Sequence, residues 1–592
     1  MLEGAGWAAA SYKLDTLVRE MNKRAGINFL FDLELSLPTR GGQFLLVKPA
    51  DLIIASPEWY TDGRFADKVD ALKDFLAQLM LVLGADLKSA EPVNAIKTAV
   101  DEVVELEKQL AAEFVKEKIN DETTLEKTLK DPKKLSDLKA LMPDFDWDTN
   151  LKENVLLADP KIQTLLAGDP KLFIHTPALI TAIRPILAAD DRKTANWLMI
   201  RYVLKQLPYL DSRFVAIGNE FAEKLDGSKH RSTRDQDCFD EIRRSFPLVV
   251  DHLYVRQFVS NRSQLGATRV MDKLREGFAG VLRGEKWMDE STKAYAIRKL
   301  GQMKEVVAAV DVAKKRKLLD ERYKGLSLSS ADKFAQMATK VRIAKGQLKY
   351  AVLVQSGLSL YDPSRAAGST SPVHLYEENK LFIPGSVLQA PFFDLALPAS
   401  VTYGALGFLI GQAMGHGFDK KGGKYDANGL KRTWWSKQTK KQFKAERQCL
   451  VNAYGQHVDS TTGQRVDGQR TLKENAADAA GIRAAFAAYR AYANGAQLAH
   501  VPGYAKYTAD QTFFLGFSTA SSFLSLYCLL RCLQMMCASL DPKYAADLHA
   551  SDPHAPSEFR VDVVLQNMPE FAAAFNCRAG TKMNPKSKCS PW

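Results

Sequence analysis

A chain of 592 residues exceeds what one hydrophobic core organises, so two or more domains are expected. With 46% hydrophobic and 25% charged residues it falls among soluble globular proteins, which excludes a disordered chain and a membrane-embedded bundle. The net charge of +12, from 81 basic and 69 acidic side chains, is spread along the chain, so charge alone names no partner.

The first residues, Met1 to Trp7, lack the basic start and apolar stretch of a signal peptide. From Arg64 to about Lys139 apolar residues recur at helical spacing, as in Val69, Leu72, Leu76, Leu79 and Leu83, which predicts helix packed on helix. The pattern continues through Thr194 to Leu207, Phe239 to Phe258 and Val270 to Lys304, so the first half reads as mainly α. A polar, lysine-rich stretch from Lys314 to Ser330 reads as a linker, dividing the chain into a helical part, 1–320, and a second part, 321–592. Beyond it, Gln347 to Gln355 and Asn379 to Leu388 read as strands, and helical patterns return at Val401 and Lys473, giving an α+β second part. Phe517 to Leu540 is apolar but broken by Arg531 and several serines, so it reads as a buried helix and no membrane span is expected.

The densest basic stretch runs from Lys420 to Arg447, where Lys431, Arg432, Lys437, Lys440, Lys441 and Lys444 surround Trp434 and Trp435. Basic residues beside aromatics suit single-stranded nucleic acid, but a solvated helix face over core tryptophans is the simpler reading, and no nucleic-acid partner is expected. Seven cysteines, an odd number, are weighted toward the C-terminus, and composition cannot pair them. Cys528 and Cys532 are spaced i, i+4, yet no second Cys or His pair completes a metal site, so they read as buried apolar residues.

The most informative segment is Leu409-Ile-Gly-Gln-Ala-Met-Gly-His-Gly-Phe-Asp419. On a helix, Gln412 and His416 share a face, the geometry by which His-Glu-x-x-His holds zinc with two imidazoles and a carboxylate base between them. Here the first His is Gln412 and the Glu is Ala413. Some sixty residues on, Glu474 and Asp478 share a face of a second helical pattern, as on the third-ligand helix of a thermolysin-like zinc peptidase.

These stretches, with Leu388-Gln-Ala-Pro-Phe-Phe393, Trp434-Trp-Ser436, Leu253-Tyr-Val255, Trp287-Met-Asp289 and the terminal Met583-Asn-Pro585 and Lys588-Cys-Ser-Pro-Trp592, resemble in order and spacing the neprilysin and endothelin-converting-enzyme family of zinc metallopeptidases. The resemblance implies a mainly α, two-lobed ectodomain with a smaller α+β part, in which a helical lid lobe faces a zincin (thermolysin-like) C-terminal lobe. It places the two ligating histidines on Gln412 and His416, the catalytic Glu on Ala413 and the ligating Glu on Glu474. Asp478 matches the carboxylate that orients a ligating His, His554 the histidine that stabilises the transition state, and Arg560 a substrate-binding arginine. The family pattern pairs Cys449 with Cys589, while Cys238, Cys537 and Cys577 would pair with cysteines outside this chain, because Gly6-Trp7 matches a point well inside the ectodomain. The family also implies an extracellular or type II membrane-anchored setting and peptides as ligands.

The departures carry the functional expectation. A neutral amide at 412 is a poor substitute for imidazole, so zinc, the family's cofactor, is expected to be weak or absent here. A methyl group at 413 cannot take a proton from a metal-bound water. The family's Asn-Ala pair, which aligns peptide backbone along an edge strand, falls near Ser371-Pro372, and its Trp-Cys near the specificity pocket best matches Met536-Cys537, so peptide selectivity does not transfer. The expectation is an inactive homologue that still binds peptides or a protein partner. The alternative is an active zinc metalloendopeptidase with atypical ligands.

Overall fold

The computed structural model describes residues 12–36, 44–86, 93–119, 121–226, 233–355, 363–494, 505–529, 552–589 and 592. Met536, Cys532, Cys537 and Gly6-Trp7 lie outside them. The chain forms two compact units, Met1–Ser245 with Tyr323–Leu360, and Phe246–Arg322 with Tyr361–Trp592. One crossing falls inside the polar stretch from Lys314 to Ser330, which itself carries the short helix Arg316–Tyr323.

The first unit is helical around a small sheet. Helix Ala66–Asp86 buries Val69, Leu72, Leu76 and Leu79 on the stripe that the spacing predicts. Strands β1 (Phe31–Leu35), β2 (Leu45–Pro49), β3 (Lys133–Lys134) and β4 (Lys171–Ile174) make a sheet of order β1-β2-β4-β3. These strands are short and their alternation is weak, so periodicity did not reveal them. The expected strand at Gln347–Gln355 is instead the end of helix Phe334–Ala351 and the turn after it. The alternating Leu348, Tyr350, Val352 and Val354 imitate a strand, but residues 334–349 carry a helix into them, and Tyr350 packs into the first unit's core. The pattern from Phe239 to Phe258 is two helices, Arg234–Ser245 and Pro247–Phe258, because Pro247 opens a new first turn where it lacks no hydrogen bond.

In the second unit, β5 (Lys304–Ala308), β6 (Val373–Leu375) and β7 (Lys380–Pro384) form a three-stranded sheet of order β5-β7-β6, so β6 is an edge strand and follows directly on Ser371-Pro372. The expected strand from Asn379 to Leu388 ends at Pro384 and passes into a tight turn at Gly385–Leu388. Around this sheet lie helices α1 (Asn261–Gly284), α2 (Glu290–Gln302), α3 (Phe408–His416), α4 (Lys437–Gly455), α5 (Leu472–Ala493), α6 (Ala509–Leu529) and α7 (Ser557–Gln566). Helix α6 buries Phe513, Phe514 and Phe517, and no helix among the described residues is long and apolar enough to cross a membrane. Trp287, Trp435, Phe443 and Trp592 meet in one aromatic cluster, so the terminal tryptophan belongs to the core.

Cys449 and Cys589 form a disulfide across 140 residues of chain, tying α4 to the C-terminal segment. Closing so long a loop restricts the unfolded chain, so Cys589→Ser is expected to lower unfolding free energy by about 2–4 kcal/mol in denaturant titrations. Cys238 is a free, exposed thiol and Cys577 a free, half-buried one.

Candidate active site

Small residues bring the two motif helices together. A Cβ added at Gly411 would lie 2.7 Å from the Gly481 carbonyl oxygen, and one at Gly481 would lie 2.5 Å from the Gln412 nitrogen. Gly415 faces Ala480 in the same way. Helix α3 therefore lies almost backbone to backbone on α5, which sets Gln412 and His416 against Glu474.

Glu474, 5% exposed, is the hub. Its Oε2 accepts from Gln412 Nε2 at 3.2 Å, lies 3.1 Å from His416 Nε2 and 3.4 Å from His554 Nε2, while Oε1 accepts from Lys473 Nζ at 2.9 Å. His416 Nδ1 donates to Asp419 Oδ2 at 3.0 Å, and His554 Nδ1 to Asp552 Oδ1 at 2.9 Å. Each ring thus has a carboxylate at both nitrogens, the arrangement of an imidazolium with two donors. The 3.5 Å approach of Gln412 Nε2 to His416 Nε2 is then a contact between two donors and no hydrogen bond.

The structure places Asp478 on Arg560, not on a motif histidine: Arg560 Nε and Nη2 donate to its two carboxylate oxygens at 2.9 and 2.7 Å, and both side chains are buried. The carboxylate that holds His416 is Asp419, which the sequence reading did not single out. Asp419 also accepts from the backbone nitrogens of Lys421 and Gly422. Its signal was the His-x-x-Asp spacing at the end of α3, which puts the two on one side of the last turn. Lys299 was also missed. Fully buried on α2, it donates to the carbonyls of Gly417, Gly422 and Tyr425 at 2.7, 2.9 and 2.7 Å and so shapes the loop after α3. No local sequence pattern announces a lysine that acts over more than a hundred residues.

Burial disfavours a charged His416, but its hydrogen bonds to Asp419 and Glu474 outweigh that and raise the pKa to about 9. His554 is raised to about 9 in the same way through Asp552 and Glu474. Burial would raise Glu474, yet the bonds from His416 and His554 hold it well below the usual carboxylate range. The histidines' contribution to stability is therefore complete below their ordinary pKa of 6.5 and lost as pH rises through about 9. Glu474's is present above 4.5 and lost as pH falls. The melting temperature is expected to peak near pH 5–6.5 and decline toward pH 9. His416→Asn combined with His554→Asn should flatten the alkaline limb.

Residues 2–309 and 374–590 match Peptidase family M13. The chain belongs to peptidase family M13. Among M13 relatives, Neprilysin-1 of Caenorhabditis elegans is 27% identical over 601 residues, covering 100% of this chain and 77% of that protein. Human neprilysin is 26% identical, with 100% and 76% covered. Among solved structures, the zinc metalloprotease Zmp1 of Mycobacterium tuberculosis in complex with inhibitor aligns with a TM-score of 0.74 at 20% identity, covering 96% of this chain and 81% of that one. PepO from Lactobacillus rhamnosis aligns equally well, TM-score 0.74 at 19% identity, with 96% and 82% covered. The fold is thus the two-domain, neprilysin-like M13 architecture, and the family is one of zinc metallopeptidases.

The residues of this M13 member do not fit a catalytic zinc. Such an ion takes three N, S or O ligands and an activated water. Here His416 and Glu474 remain as two such ligands, but the third position is the neutral amide of Gln412, whose N–H group already donates to Glu474.

Proposed function

We propose that this protein is a non-hydrolytic M13 homologue that retains a peptide- or protein-binding role outside the cell or tethered to its surface. The observation that carries the reading is Ala413, a fully buried methyl group one residue from Gln412 on the helix that meets Glu474. Peptide hydrolysis at a His-Glu-x-x-His helix needs a carboxylate there to take a proton from water and pass it to the leaving amine. The carboxylates described nearby are already engaged: Glu474 by Lys473, Gln412 and the two histidines, Asp419 by His416 and two backbone N–H groups, Asp478 by Arg560 and Asp552 by His554. Arg560, matched to a substrate-binding arginine, spends its guanidinium on Asp478.

Support for peptide recognition comes from the edge strand β6 and from relatives named as peptidases, such as Membrane metallo-endopeptidase-like 1 of Homo sapiens. An edge strand offers unpaired backbone groups to an extended peptide. Pro372, just before β6, removes one donor from that edge, which fits altered selectivity.

A second reading, an active zinc endopeptidase with atypical ligands, draws on the convergence of His416 and His554 on one oxygen of Glu474. The test separates the two. Purified protein incubated with zinc and desalted is expected to retain well under one equivalent and to leave a quenched peptide library uncut. Stoichiometric zinc with chelator-sensitive cleavage would overturn the proposal in favour of the second reading.

A further inference from the structure

Away from the α3–α5 site, the second unit holds a cavity of about 500 Å³ between α4 and the loops that flank Trp435. Lys420, Lys440, Lys444 and Arg447 line it, with Trp435 and Phe443 forming an aromatic wall. No Asp or Glu appears among its described lining residues. We propose that this cavity binds a compact organic polyanion carrying phosphate or sulfate ester groups.

Lys420, Lys440 and Lys444 reach solvent, but the helical arrangement crowds like charges together at the cavity. Lys440, Lys444 and Arg447 stand at i, i+4 and i+7, so α4 stacks three positive charges on one face. Like charges at this spacing destabilise a helix. Elsewhere the chain offsets such charges locally, as in Lys273 with Glu276 and Lys293 with Glu290. Lys420, Lys440, Lys444 and Arg447 have no carboxylate partner within ion-pair distance among the described residues.

Two further features suit a ligand. Arg447 is half-buried with its guanidinium 5.6 Å from the Phe443 ring centre, and burial pulls its pKa below the ordinary value against the opposing charge of Asp419. Trp435, 8% exposed, has an indole N–H that is buried and without an acceptor. A buried donor left unpaired is costly. The cavity falls within the range that holds small organic ligands, and the five cations that line it, Lys424 included, select for charge density on a compact body rather than for an extended strand.

The test is isothermal titration of the full chain at physiological salt with two probes, inositol hexakisphosphate and a fully sulfated heparin disaccharide. Saturable one-to-one binding of at least one probe is expected, with a micromolar Kd and a change in tryptophan fluorescence. Lys440→Glu with Lys444→Glu should weaken it at least tenfold, and Lys440→Gln with Lys444→Gln should weaken it at an unchanged melting temperature. Lys315→Glu with Lys317→Glu, an equal charge change at exposed positions that do not line the cavity, should alter Kd by less than twofold. Binding of the first probe alone would assign phosphate esters, of the second alone sulfated sugars, and of both a site that reads charge density. Absence of saturable binding by either probe, equal loss in the control variant, or binding only of a single-stranded oligonucleotide would overturn the proposal.

Discussion

Gln412→His combined with Ala413→Glu is expected to give a protein that holds one zinc and cleaves peptides in a chelator-sensitive way. Most of the supporting frame is already in place. Helix α3 presents positions 412 and 416 on one face, Glu474 lies 3.2 Å from the side chain at 412, and Asp419 already orients His416. Replacing the amide by imidazole removes the donor that occupies Glu474 and supplies the missing nitrogen ligand. The new carboxylate at 413 restores a general base, worth about a hundred- to ten-thousandfold in rate. Gln412→His alone should therefore bind zinc with little turnover, and Ala413→Glu alone should show neither. Zinc content by elemental analysis and hydrolysis of a quenched peptide library read the two effects separately. A folded double variant that takes up no zinc would show that the site has diverged beyond these two positions, and would count against a merely disabled peptidase.

Arg560→Ala is expected to be the most destabilising single substitution in the site, at about 3–5 kcal/mol. The loss arises because Asp478, fully buried on α5, is left as a charge without a partner. Removing both charges, as Arg560→Met with Asp478→Leu, should recover most of the loss, since an apolar pair of similar volume avoids the desolvation of two ions. Urea unfolding of both variants measures the difference. If Arg560→Ala were as stable as the parent, the guanidinium would be free for a ligand and the pairing with Asp478 incidental.

What the sequence determined by itself is the part of this protein written in local spacing and residue chemistry. The i, i+4 separation of Gln412 and His416, and of Glu474 and Asp478, is a property of any α-helix, so both pairs were legible before any fold was known. The loss of the motif's first His and its Glu was equally legible, because no tertiary contact turns alanine into an acid. The stripe at Val69, Leu72, Leu76 and Leu79 is likewise a consequence of helical period, and it is buried as read.

The tertiary structure alone decided which polar groups satisfy one another. The sequence reading set Asp478 beside a histidine, whereas the packing of α7 against α5 delivers Arg560 to it from 82 residues away. Glu474 became the meeting point of two side chains of α3 because α3 and α5 approach through Gly411 and Gly481, and of His554 from a third segment of the chain. Lys299 serves carbonyls more than a hundred residues distant, and the α4 lysines, still exposed, line a cavity because the loop carrying Lys420 folds opposite them. Gln347–Gln355 was misread for a related reason: alternation over nine residues is shorter than the helix that enters the segment, and propagation from an established helix outweighs a short β-like pattern.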